Sequence, residues 1–188
     1  MAWLVLGVLL WSAAHLLKCV AIPFRQRLVD RLGPNPYQGV FSLVILGSIG
    51  LMVLGWRSTA PHPIYVLPAS ATWGTNVAVF VGLVLFAASG VPSNLKRWIR
   101  HPQLAGVLVF AAGHLLSNGD PRALVLFGGL GLWSIVAMIA INRRDGAWQK
   151  PEPVALTAEL KPLIAAVVIF AVLFFVHPWI AGVSPAPR

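Results

Sequence analysis

Charged residues are scarce in this chain, and acidic ones above all. Asp, Glu, Lys and Arg make up 10% of its 188 residues, with 5 acidic side chains against 14 basic ones, whereas a soluble domain carries roughly 25% charged residues. This composition excludes water as the main solvent of the fold. Cysteine is almost absent as well: Cys19 stands alone, so no intrachain disulfide is available.

Long apolar runs take up most of the chain. Hydrophobic residues make up 58% of it, the mean hydropathy is +0.81, and several runs approach the roughly 20 residues that span a bilayer core. Short alternating strands are missing, so helices must do the spanning. We therefore predict an all-α, polytopic membrane helix bundle of about six transmembrane helices, with residues 1–188 as a single domain. The predicted spans cover about 2–22, 39–56, 75–92, 103–117, 123–141 and 162–179.

The basic residues predict the orientation of this bundle. Eleven of the 14 Lys and Arg residues fall in the first, third and fifth connections between spans, and the other three, Arg57, Arg122 and Arg188, fall on the other side. Positive charge concentrates in cytoplasmic loops, so we expect both termini to be periplasmic. No basic residue precedes Lys18, so we interpret the first apolar stretch as a permanent span rather than a cleaved signal. Because the charge follows the loops in this way, we do not expect nucleic acid as a partner.

Two of the 5 histidines lie deep inside predicted spans. His15 lies about 20 Å along its helix from Ala2, and His114 about 18 Å from Pro102. In a core of about 30 Å, entry from opposite sides brings them to similar depths, where they could flank one bound group. Ionisable side chains at such depth suggest function, although neutral histidines that bond neighbouring helices are the alternative.

Two imidazoles restrict the kind of group that they could hold. Zinc usually takes three or four protein ligands, whereas haem iron needs only axial ones, because the porphyrin supplies four nitrogens. His62 lies in the proline-rich loop after the second predicted span and His177 at the outer end of the sixth, and we interpret both as structural.

His101 opens the fourth predicted span. It stands between Arg100 and Pro102, beside Lys96 and Arg97, and proline suits the first turn of a helix. Arg100 and His101 have two possible roles. They either belong only to a helix-start signal, or they bind an anionic group such as a lipid phosphate or a cofactor carboxylate.

Several motifs, in order, resemble the NnrU family of bacterial membrane proteins: "WSAAHLLKC", "RHPQLAG", "GHLLSNGD", "LVLFGGLGLWS" and "VHPWIAGVSP". The resemblance runs from Trp3 to about Pro185. It implies a protein of the bacterial cytoplasmic membrane that is associated with nitrite and nitric oxide reduction in denitrification.

The family is in turn similar to the zeta-carotene cis–trans isomerase of plants and cyanobacteria, a haem b enzyme. That similarity implies haem b as cofactor, His15 and His114 as axial iron ligands, and Arg100 and His101 as further cofactor contacts. A cysteine that the isomerase carries three residues before its second ligand is Ala111 here, which puts a ligand switch at that position in doubt.

The resemblance leaves the activity open, including whether the protein is an enzyme. One hypothesis is a haem-binding protein that serves nitrogen-oxide metabolism, and another is a haem-dependent isomerase of a polyene or other lipidic substrate. A non-catalytic membrane scaffold is a third. "RHPQLAG" is also similar to a stretch of integral-membrane methyltransferases, but Leu104 replaces their tyrosine and the acidic pair that follows is missing, so we do not expect S-adenosylmethionine binding.

Reporter fusions test the predicted topology. Fusions after Pro36, near Asn94 and near Gln149 should behave as cytoplasmic, because each joins a basic connection. Fusions near Ser70 and after Pro187 should behave as periplasmic. A cytoplasmic C-terminus in alkaline phosphatase and fluorescent-protein fusions would contradict six crossings.

Overall fold

Residues 1–186 are described by a computed structural model, and helices are their only regular elements. The helices are α1 (Ala2–Val20), α2 (Ile22–Leu32), α3 (Pro34–Ser58), α4 (Ala71–Ser89), α5 (Pro102–Ser117), α6 (Pro121–Asp145) and α7 (Leu160–Ala181). Five of them, α1, α3, α4, α6 and the helix ending at Ala181, are long and apolar enough to cross a membrane. The all-α membrane bundle is thus confirmed. The remaining predicted span, α5, has 16 residues and at about 24 Å is shorter than a crossing helix.

The first connection differs from its prediction. The predicted spans left residues 23–38 as the connection between the first two helices, but α1 already ends at Val20 and the segment forms α2 and the first turn of α3. Pro23 and Pro34 lie in the first turns of these helices, where the missing N–H costs no hydrogen bond. Gly33 joins the two helices with a φ of 82°, which suits a residue without Cβ.

One end of the bundle gathers the basic connections, and we call it the basic end. There the Arg100 guanidinium donates a hydrogen bond to the Gly146 carbonyl oxygen at 2.8 Å. The Ser93 hydroxyl donates to a Glu159 carboxylate oxygen at 2.7 Å. The first contact brings the start of α5 beside the end of α6, and the second brings the segment after α4 beside the start of α7.

The opposite end holds the start of α1 together with the ends of α3 and α7. The amino group of Met1 donates to the Thr59 hydroxyl at 2.5 Å, and the Trp56 indole donates to the Ala181 carbonyl oxygen at 3.3 Å. The first residue and the end of α7 therefore lie on the same side, as an even number of crossings requires. The predicted fusion point after Pro187, and Arg188, lie outside the described residues.

Glycines let two helix pairs approach to backbone contact. A Cβ on Gly7 of α1 would lie 2.7 Å from the Ser48 carbonyl oxygen in α3, and one on Gly106 of α5 would lie 2.5 Å from that of Gly82 in α4. Small residues give helices this closeness in membranes. By contrast, the sites of Gly47 and Gly50 in α3 have no atom within 4 Å, so these glycines play no part in packing.

An ion pair fixes the start of α6 at the opposite end. Asp120 caps α6 by accepting from the backbone N–H groups of Arg122 and Ala123, and it pairs with the Arg122 guanidinium at 2.8 Å. Arg122 also donates to the Thr59 carbonyl oxygen at 3.0 Å and lies over the Trp56 ring, 4.5 Å from its centroid. Burial works to raise the pKa of Asp120, but the hydrogen bonds from Arg122 and Ala123 outweigh it and hold that pKa below its usual value.

The glycine contact between α4 and α5 gives a stability test. Gly106→Ala places a methyl group against the Gly82 backbone, which cannot yield as a side chain would, so we expect a loss of about 1–3 kcal/mol. The matched change Gly50→Ala meets open space and should leave stability equal or raise it by up to about 1 kcal/mol. Thermal unfolding in detergent measures both, and equal melting temperatures for the two variants would contradict this packing.

Candidate functional site

A cavity of about 860 Å³ opens at the basic end. Its walls come from the last turns of α1, the start of α5, the second half of α6 and the segment after Gly146. Three cationic side chains line it, Lys18, Lys96 and Arg100, against one carboxylate, Asp145, which is already paired with Arg144 at 2.5 Å. The cavity is large enough for a cofactor-sized ligand, and its charge favours an anionic one.

His15 reaches this cavity from α1. Its Nδ1 lies 2.9 Å from the Trp11 carbonyl oxygen. A carbonyl oxygen only accepts, so this bond places the proton on Nδ1 and, in the neutral ring, leaves the Nε2 lone pair free. The Trp11 ring, with its centroid 4.0 Å away, and the Trp133 ring at 5.4 Å fix the plane of the imidazole.

Trp133 adds an unmet hydrogen-bond donor to the same cavity. Its side chain lines the cavity and only 9% of the residue is exposed, yet the buried indole Nε1 has no hydrogen-bond partner. A buried donor without a partner costs about 1–3 kcal/mol, so native proteins rarely keep one without a reason. An acceptor on a bound ligand would remove that cost.

Arg100 and His101 close the mouth of the cavity. His101 precedes the first turn of α5, and its Nε2 lies 2.9 Å from the Asn142 Oδ1 in α6. Arg100 holds the Gly146 carbonyl oxygen through one guanidinium nitrogen. His101 therefore contacts the last turns of α6 and Arg100 the segment that follows it, and both residues line the cavity.

His114 occupies a separate aromatic site nearer the opposite end. Its Nδ1 lies 2.9 Å from the Phe110 carbonyl oxygen, which leaves Nε2 free by the same reasoning as for His15. Its ring stacks on Phe127, with centroids 4.3 Å apart and an angle of 22°. Phe127 belongs to a π-helical turn, Leu124–Gly128, and such turns are frequent at functional sites.

The structure brings together three of the four predicted site residues, His15, Arg100 and His101, and leaves out His114. His114 is absent from the cavity lining. On α6, the neighbour of His15 is Trp133 and the neighbour of His114 is Phe127, and the six residues between these rings correspond to about 9 Å of helix.

Several site residues were not predicted from the sequence. Lys18 lies one helical turn after His15 and could have been found by that spacing. Trp133 and Phe127 carry no local signal, because only the packing of α6 against α1 and α5 selects them from the many apolar residues of that helix.

The remaining histidines lie away from the cavity. His62 is exposed in the connection between α3 and α4, and the His177 Nδ1 lies 2.7 Å from the Val183 carbonyl oxygen. Within residues 1–186, no cluster of three or more His, Cys, Asp or Glu side chains is placed to hold a metal ion.

Comparison with known proteins gives the family. The family model described as "NnrU protein" matches residues 3–185. Neither a curated protein nor a solved structure matches the chain significantly. Because the family match covers nearly the whole chain, this multi-pass membrane protein belongs to the NnrU family.

Proposed function

We propose that this NnrU-family protein binds haem b within the membrane, with His15 as one axial iron ligand and His114 as the other. The observation that carries the proposal is the free Nε2 of His15 at the wall of a cationic cavity of about 860 Å³. When bound, haem b supplies four equatorial nitrogens and a redox-active iron.

The lining of the cavity fits such a group on three counts. Lys18, Lys96 and Arg100 offer charge to the two propionates. Apolar side chains form part of the wall, namely Leu104, Ala137 and Ile141. The unpaired indole N–H of Trp133 can donate to a bound acceptor.

The His114 part of the proposal needs a rearrangement. His114 does not line the cavity and stacks on Phe127, so its ring would have to move away from Phe127 to hold the same group as His15. The π-helical turn that carries Phe127 is a natural place for such a shift, because its hydrogen bonding already departs from the regular helix.

We further propose the bacterial cytoplasmic membrane as the location, with both termini periplasmic and the basic end cytoplasmic. The support is the gathering of Lys18, Lys96, Arg100 and Arg144 at one end of the bundle. Denitrification, through nitrite or nitric oxide metabolism, is the process that the family name suggests.

A haem-dependent isomerase of a polyene is the second candidate. The apolar wall of the cavity beside His15 favours it, because a polyene must reach the iron along an apolar surface. Incubation of the purified protein with a cis-polyene, followed by chromatography, tests this candidate. Isomerisation of the polyene by the wild type, and its loss in His15→Ala, would show that the protein is an isomerase. Absence of isomerisation by the haem-loaded wild type would exclude this candidate.

Absorption spectra of detergent-purified protein test the ligand assignment. With two imidazoles bound, the iron should be six-coordinate and low-spin, with sharp split bands after reduction. His15→Ala and His114→Ala should each open a coordination position and give high-spin iron or loss of haem. His62→Ala and His177→Ala, as matched controls outside the cavity, should leave the spectrum unchanged.

The same spectra separate the parts of the proposal. Wild-type protein that is colourless when purified from haem-replete cells would refute haem binding. A native spectrum in His114→Ala, together with haem loss in His15→Ala, would refute only the second ligand. His101→Ala should lower haem occupancy through its place at the cavity mouth, without a change of spin state.

A further inference from the structure

A second, smaller pocket of about 340 Å³ lies between α1, α2 and α3 at the basic end. It exists because α2 turns back at Gly33 and lies beside the start of α3. Its polar lining comes from Lys18, Arg25, Tyr37, Gln38 and Ser42. Only Lys18 also lines the larger cavity.

Two buried donors in this pocket have no partner. The Arg25 Nε and the Tyr37 hydroxyl are both shielded from solvent and make no hydrogen bond, and only 9% of Tyr37 is exposed. The two side chains face each other, with the Arg25 guanidinium carbon 5.4 Å from the centroid of the Tyr37 ring. A buried donor without a partner lowers the stability of the fold, and both of these donors belong to residues that line the same pocket.

The charge of the pocket selects an anion. Two of its lining side chains are cationic, Lys18 and Arg25, and none is a carboxylate. The acidic residue of α2, Asp30, accepts a hydrogen bond from the Gln26 amide at 2.9 Å and is absent from the lining. A guanidinium, an ammonium and a phenol together offer several donors, and a phosphate has more oxygens to accept from them than a carboxylate has.

The surroundings of the pocket favour a lipid as the source of that phosphate. No residue of α2 is buried, and Ile22, Phe24 and Leu32 are among its exposed apolar side chains. Arg27 and Arg31 share the helix. A helix that combines exposed apolar and basic residues beside a membrane span is suited to lie among lipid headgroups.

We propose that Arg25, Tyr37 and Lys18 bind the phosphate of an anionic phospholipid at the basic end. Lys18 is shared with the haem proposal, but Arg25 and Tyr37 do not line the larger cavity, so variants of these two residues test the lipid site separately. Lipid binding here would fix α2 against α3 and anchor the bundle in one leaflet.

Thermal unfolding of the full chain in a neutral detergent tests the site. Phosphatidylglycerol should raise the melting temperature of the wild type in a saturable way, and phosphatidylcholine should not. Arg25→Gln and Tyr37→Phe should each weaken the apparent affinity for phosphatidylglycerol by at least about tenfold, because each removes a donor to a charged group. Arg27→Gln removes the same charge from an exposed residue of α2 outside the pocket and should keep the wild-type affinity.

Further arms of this experiment separate the sources and guard against misfolding. Tyr37→Phe removes a hydroxyl without a partner, so it should not lower the melting temperature in the absence of lipid. Arg25→Lys keeps the charge for the case in which Arg25→Gln does not fold, and it should still bind more weakly than the wild type. Equal stabilisation by inorganic phosphate would overturn the lipid assignment in favour of free phosphate. Equal losses in Arg27→Gln and Arg25→Gln, or an unchanged affinity in Tyr37→Phe, would overturn the pocket itself.

Discussion

Backbone contact between helices is the constraint on which the rest of this structure depends. In hydrocarbon, a helix satisfies its own backbone polar groups and gains nothing from hiding apolar surface, so association rests on close packing. Gly7 of α1 against α3, and Gly106 of α5 against Gly82 of α4, bring these pairs into backbone contact. The two pairs then meet across α6, whose Gly129 would clash with Val8 of α1 if it carried a Cβ.

α6 in turn places both half-buried imidazoles. His15 approaches it from α1 and His114 from α5, and each ring is held by a carbonyl oxygen four residues earlier in its own helix. Because this hydrogen bond stays within one helix, Nδ1 needs no partner on another helix, and Nε2 is left free in each ring. What differs between the two is the neighbour on α6: Trp133 beside an open cavity for His15, and a stacked Phe127 for His114. An imidazole with a free Nε2 thus lies at a cavity in the case of His15 and in a packed aromatic cluster in the case of His114.

The sequence predicted the spans well, because hydropathy and charge report directly on the membrane. It missed α2, because prolines are typical of connections as well as of helix starts, and Pro23 and Pro34 lie in the first turns of helices here. The estimated depths of His15 and His114 allowed both to flank one group, and that stays a prediction. Distance along each helix was accessible from the sequence, but the neighbour of each ring on α6, Trp133 for His15 and Phe127 for His114, follows only from the packing of the helices. Arg100 and His101 were expected to contact a cofactor, which stays a prediction, and both line the same cavity as His15.

The two ends of the bundle treat their polar groups in opposite ways. At the opposite end, Asp120, Arg122, Thr59 and Met1 satisfy one another, as expected of a region that only maintains the fold. Among the described residues, four buried donors have no hydrogen-bond partner. Three of them belong to Trp133, Arg25 and Tyr37, which line cavities with cationic side chains, and the fourth, Arg97 Nη1, belongs to a residue that lines neither cavity. A stable fold could have replaced the three donors at the cavities by apolar groups of similar shape at little cost. Their retention where positive charge and open volume coincide is best explained by anionic ligands that complete the structure from outside the chain.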